Sequence, residues 1–149
     1  PISLSILGQP SMPMEFYRNQ FSEFKYFPPC SNQKVRAILK EHDALVLPSI
    51  VEGRALVQQE ALSCGLPIIV TPNAGGEDLV EEGITGHLIP IRSPEKIEEA
   101  ISTLLTSNIN KREIQQLCQK KAEQYSWATY AQNIIDFNLS NSAQMLEIG

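Results

Sequence analysis

Two glutamates, Glu52 and Glu60, stand with seven residues between them in the segment Pro48-Ser49-Ile50-Val51-Glu52-Gly53-Arg54-Ala55-Leu56-Val57-Gln58-Gln59-Glu60-Ala61-Leu62. The first falls in a turn marked by Gly53, the second in a helical pattern. If that helix starts near Arg54, Glu60 lies roughly 9 Å further along the axis, at 1.5 Å per residue. A diphosphate held by the free amides of a helix N-terminus leaves a sugar on one side and a ribose on the other at about such a spacing. Glu60 is then placed to accept hydrogen bonds from both ribose hydroxyls, because a carboxylate accepts twice, while Glu52 faces the other sugar. Spacing alone favours a plainer reading, two solvated helix-face carboxylates. Two features shift the balance. Glu60 sits among Leu56, Val57, Ala61 and Leu62 rather than on a charged face, and Gly53 permits close approach of backbone to a ligand.

Composition narrows the rest. A formal charge of −5 disfavours a general grip on nucleic-acid phosphates, which calls for a dense basic face. Cys30, Cys64 and Cys118 stand far apart and read as reduced, mostly buried thiols, and with His42 and His87 also unclustered no metal site is expected. No window stays apolar over the ~18 residues that a membrane span needs. The first eight residues show no basic stretch followed by a cleavage site, so the expectation for location is the cytoplasm, or the inner face of its membrane.

The elements that must position the two glutamates alternate between short apolar runs and helical patterns. Ile2 to Leu7 and Phe24 to Phe27 read as strands flanking a helix over Met12 to Phe21, and Ser31 or Asn32 can cap a helix carrying Val35, Ile38 and Leu39. Ala44 to Leu47 is a continuous apolar run of the kind found in parallel strands covered on both faces. A helix from Gly53 or Arg54 through Cys64, stopped by Gly65, leads to the buried strand Pro67 to Val70 and completes a βαβ unit. A short helix over Glu77 to Glu82 and the strand His87 to Pro90 follow. Ser93 and Pro94 open a helix with the stripe Ile97, Ala100, Ile101, Leu104 and Leu105. Two last helices carry Ile114, Leu117, Cys118 and Ala122, then Trp127, Tyr130, Ala131, Ile134 and Ile135. The spacing of Trp127 and Tyr130 predicts packing, and His87 is expected to be a satisfied structural histidine. The expectation is one doubly wound, Rossmann-like parallel α/β domain over residues 1–139, with a polar, frayed tail at 140–149. Ligands of such sheets sit beyond the carboxyl ends of the strands.

Taken together, Asp43 to Ser49, Glu52-Gly53 through Glu60-Ala61-Leu62, Cys64 to Val70, Ala74-Gly75-Gly76-Glu77-Asp78-Leu79-Val80, Gly83 to Pro90 and Tyr125-Ser126-Trp127 resemble the E-x7-E signature and following motifs of the group 1 glycosyltransferases, a large retaining family. The similarity runs from about Leu4 to Leu139. It implies the C-terminal lobe of a GT-B fold, a nucleotide-diphosphate sugar as donor, no obligatory metal or other cofactor, and transfer with retention at the anomeric carbon. Carried over by position, Glu60 binds the ribose, Glu52 contacts the donor sugar as the catalytic candidate, and Gly53, Arg54, Ala55, Leu56, Gly75 and Gly76 face sugar or phosphate. Arg54 and Ala55 replace an aromatic residue and a glycine, so Arg54 is either a phosphate partner or a solvated cation. The resemblance starts at the lobe's second strand, without the first strand and helix and their basic pair for the diphosphate, and without the acceptor-binding N-terminal lobe. The chain alone is therefore expected not to catalyse transfer. Two rival readings remain: a nucleotide-sugar binding module without catalysis, and a nucleotide-sugar epimerase, whose acidic and histidine residues find no place here. Base, sugar and acceptor are not legible.

Overall fold

The computed structural model describes residues 2–146, with side chains described through Leu139. Packing divides the chain into two compact units, Pro1–Ile38 and Leu39–Gly149. A single domain is the simpler expectation from length, but the described strands form two separate parallel ladders, one in each unit.

In the first unit, β1 (Leu4–Leu7) and β2 (Phe24–Phe27) run parallel with Leu4 opposite Phe24 and Leu7 opposite Phe27, joined through α1 (Met14–Gln20). Phe24, 8% exposed, anchors this pair. Beyond β1 the Tyr26 hydroxyl donates to the Gly8 carbonyl at 3.0 Å, closing the loop over the strand ends. The helix α2 (Asn32–Leu39) follows, close to the span its apolar spacing predicts.

The second unit carries the parallel sheet β3 (Leu45–Leu47), β4 (Ile68–Val70) and β5 (Gly86–Leu88), in that order. In the central strand Ile68, Ile69 and Val70 are fully buried, as a continuous apolar run in a covered parallel strand should be. Strand β3 departs from that expectation: Leu45 and Leu47 are half-buried and Val46 is exposed. Between β3 and β4 lies α3 (Leu56–Ser63), which packs against α5 (Lys111–Glu123); Ala61 and Leu62 of the first helix and Cys118 of the second are fully buried. Burial pushes the Cys118 thiol up to about 12, so it is an inert packing group. Gly65 ends α3 as expected. It sits at φ +85°, with its own amide donating to Leu62 and the Leu66 amide to Ala61, the paired bonds of a left-handed helix stop.

Over the sheet, α4 (Pro94–Thr106) sets Ala100, Ile97, Ile101 and Leu104 against Ile69 and Ile89. Leu105 does not join that stripe; it is 71% exposed, one position beyond the buried arc. Ser93 does not cap the helix by its side chain, which turns to Glu95 at 3.3 Å instead. The helix expected over Glu77 to Glu82 is only a 3₁₀ turn, Glu77–Leu79. The reason is the buried Thr85 hydroxyl, which donates to the Leu79 carbonyl and accepts from the Glu81 amide, taking the groups a longer helix would use.

The final helix α6 (Trp127–Leu146) corrects another expectation. Trp127 and Tyr130 are 83% and 59% exposed and meet each other edge to face, 6.0 Å between centroids, rather than a core. The tail expected to fray from residue 140 is helical to Leu146, and its last three residues lie outside the described ones.

Arg92, in the loop after β5, is the non-glycine residue at positive φ among the described residues, at 56°. Holding a residue with a Cβ there costs about 1–2 kcal/mol, of which a glycine's extra unfolded freedom would return roughly half. Arg92→Gly is expected to stabilise the protein by about 0.5–1 kcal/mol in urea unfolding; a loss of stability would contradict the strained assignment.

Candidate functional site

Two loops rise from the carboxyl ends of β3 and β4, and hydrogen bonds zip them together. The Thr71 hydroxyl donates to the Ser49 carbonyl at 2.5 Å and the Asn73 side-chain amide to the Ile50 carbonyl at 2.7 Å. The Ala74 carbonyl accepts twice, from the Ala55 amide at 3.3 Å and from Gln58 Nε2 at 2.7 Å. Gln58 is fully buried, and its Oε1 has no partner among the described residues, an unusual feature for a buried amide. Gly75 stands at φ +67° with its Cα against the Gly53 carbonyl, and Gly76 packs on Gln58 Oε1, so a Cβ at either position would collide. Gly53 itself is open: a Cβ there would meet nothing within 4 Å.

This zipper explains why α3 begins at Leu56 rather than at Gly53 or Arg54. Ala55 is extended and acts as the N-cap with no capping side chain, its amide spent on Ala74. The Gln58 amide turns back to the Ala55 carbonyl at 3.1 Å, leaving the amides of Leu56 and Val57 as the uncapped donors of the first turn. From the later start, Glu60 lies about 6 Å along the axis rather than 9 Å. Its side chain is half-buried, and its carboxylate has no hydrogen-bond partner among the described residues. Glu52 is exposed in the turn and accepts from the Ser49 hydroxyl at 2.7 Å. Glu52, Gly53, Arg54, Ala55, Leu56, Glu60, Gly75 and Gly76 thus belong to one pair of loops and the helix that leaves them.

Arg54 is not a freely solvated cation. Its Nη2 lies 3.0 Å from Asp78 Oδ2 and its guanidinium 5.4 Å from the centre of the Tyr125 ring, while the Tyr125 hydroxyl donates to the Asp78 carbonyl at 2.9 Å. Burial works to raise the Asp78 carboxyl, but hydrogen bonds from Arg54 and Tyr125, with the charge of Arg54, hold it below the ordinary carboxylate value. Tyr125 is raised, by burial first and then by Asp78. Asp78 and Tyr125 are not legible in the sequence as partners of the turn, since they lie 24 and 71 residues from Arg54 and no periodicity links them.

His87 is buried in β5, held through Nδ1 by Glu82 at 2.5 Å, with Glu82 also accepting from the Leu88 amide. The expectation of a satisfied histidine is met at Nδ1 and not at Nε2, which is buried without a partner among the described residues. Among the described residues no group of three His, Cys, Asp or Glu side chains could hold a metal ion, and no helix is long and apolar enough to cross a membrane.

Known proteins resemble the chain in sequence and in fold. The chain is 27% identical over 110 residues to the sucrose synthase of Melioribacter roseus, covering 70% of this chain and 14% of that protein. It is 26% identical over 132 residues to the D-inositol 3-phosphate glycosyltransferase of Rhodococcus erythropolis, covering 87% of this chain and 30% of that one. The chain therefore spans less than a third of the length of these relatives. The crystal structure of Anabaena HepE in complex with UDP superposes over 93% of this chain and 41% of its own, with a TM-score of 0.75 at 19% identity, a shared fold. The model of the family described as glycosyl transferases group 1 matches residues 20–125, both loops and α3 included, and the chain belongs to that family.

Proposed function

We propose that the chain is the donor-binding part of a retaining glycosyltransferase, with residues 1–139 holding a nucleotide-diphosphate sugar for transfer to a glycan or lipid acceptor bound by an N-terminal lobe of the same or another polypeptide. The observation that carries this reading is the uncapped first turn of α3 set between two carboxylates. Amides of Leu56 and Val57 offer two donors and the positive end of the helix dipole to a diphosphate. Glu60, without a partner of its own, accepts from the ribose hydroxyls. Glu52, exposed at the turn, contacts the donor sugar and is the catalytic candidate.

Gly53 leaves open space beside the turn for the ligand, and Gly75 and Gly76 bring the second loop against the first. Ala55 serves by shape, because its amide is already donated to Ala74. The uridine nucleotide carried by the Anabaena protein supports a nucleoside diphosphate as the moiety held here. No metal is required in this scheme, since amides and a guanidinium take up the charge of the departing diphosphate. Donor and acceptor meet in the cytoplasm or at the inner face of its membrane.

Amide NMR spectra of the chain titrated with uridine, guanosine and adenosine diphosphates test the reading at the level of atoms. The largest shifts are expected at Leu56, Val57, Gly75 and Gly76. Shifts confined to other residues, or none with any of the three, would remove the donor site from this place. In the same scheme the purified chain shows no transfer above the uncatalysed blank, and robust turnover by it alone would contradict the need for a second lobe.

A further inference from the structure

Arg54 is the cation of the turn, yet its guanidinium is engaged by Asp78 through a single contact, Nη2 to Oδ2 at 3.0 Å. Both side chains are substantially exposed, 41% and 46%, and exposed pairs of this kind are weakly held. Arg54 precedes Leu56, the first residue of α3, by two positions, so its Cα lies within roughly 7 Å of that residue's Cα by chain geometry. A guanidinium fork matches phosphate oxygens two at a time, and a diphosphate carries more charge than the one carboxylate it would displace. The Tyr125 ring beside the guanidinium and the Tyr125 hydroxyl on the Asp78 carbonyl keep both members of the pair at the edge of the turn.

From this geometry we propose that Asp78 is an internal competitor for the donor: it holds Arg54, and a nucleoside diphosphate bound at the first turn of α3 takes Arg54 from it. The inference rests on the donor-binding reading above and adds to it a residue that sets affinity through exchange of ion-pair partners. Asp78 touches no ligand in this scheme. It acts through Arg54, and its removal therefore strengthens binding, whereas a residue that merely positions the turn would weaken binding when lost.

The test is calorimetric titration of the full chain with uridine, guanosine and adenosine diphosphates, comparing the parent, Asp78→Asn, Asp78→Ser, Arg54→Met and the double variant Arg54→Met/Asp78→Asn, each checked for folding by its melting temperature. Either Asp78 substitution is expected to tighten the nucleotide that binds by about two- to fivefold, the range set by the worth of an exposed pair. Arg54→Met is expected to weaken it, and Asp78→Asn to give no gain in the Arg54→Met background. An equal gain in that background would overturn the exchange and leave only relief of a nearby negative charge. Unchanged or weaker binding by both folded Asp78 variants would overturn it in favour of a positioning pair. A parent chain that binds none of the three nucleotides would bring down the donor reading itself, and this inference with it.

Discussion

Gly75→Ala is expected to lower the stability of the protein by about 3 kcal/mol and to abolish nucleotide binding. The residue stands at φ +67°, where a Cβ costs about 1–2 kcal/mol by itself. That Cβ would also strike the Gly53 carbonyl, a backbone atom with no rotamer to yield. The two loops must then part, which strains the bonds from the Ala55 amide and Gln58 Nε2 to the Ala74 carbonyl, each worth about 1 kcal/mol net. A loss of this size shifts the melting midpoint by roughly 10 °C in a chain of this length, readable by circular dichroism. A variant that melts with the parent would mean that the loops do not meet at Gly75.

The second large effect lies under the site. Leu62 of α3 is fully buried, and Leu62→Ala is expected to cost about 3–4 kcal/mol in urea unfolding, the transfer of the lost methyls plus the cavity left behind. Leu105→Ala on α4, where the leucine is 71% exposed, should stay within about 0.5 kcal/mol. Equal costs at the two positions would contradict the burial of one and the exposure of the other. In the proposed site α3 offers its first-turn amides to the ligand, so loosening Leu62 should weaken nucleotide binding along with stability, whereas Leu105 should touch neither.

These residues also show what could be read without coordinates. The βαβ unit from β3 to β4 is legible because each of its signals is local: an apolar run, a glycine at the helix stop, and a proline before the buried strand. Glu52 and Glu60 are legible for the same reason, as a spacing within one turn and one helix. The start of α3 is not, because the carbonyl that claims the Ala55 amide belongs to Ala74, in another loop. Neither is the shortened turn at Glu77, which a hydroxyl at Thr85 imposes from beyond the expected helix. Trp127, Tyr130 and Leu105 repeat at helical spacing as core residues do, but periodicity reports an apolar stripe and not whether anything among the described residues covers it. Arg54 could be read only as phosphate partner or solvated cation, since its carboxylate lies 24 residues along the chain and is brought close by folding alone.

Donor recognition by the first turn of α3 and Glu60 is tested by calorimetric titration of the chain with uridine, guanosine and adenosine diphosphates, repeated on Glu60→Ala. Selective binding of one nucleotide is expected, even at roughly millimolar strength, about −4 kcal/mol, with its loss in the variant while the melting temperature stays near that of the parent. Binding that survives Glu60→Ala unchanged, or no binding of any of the three by the folded parent, would contradict it.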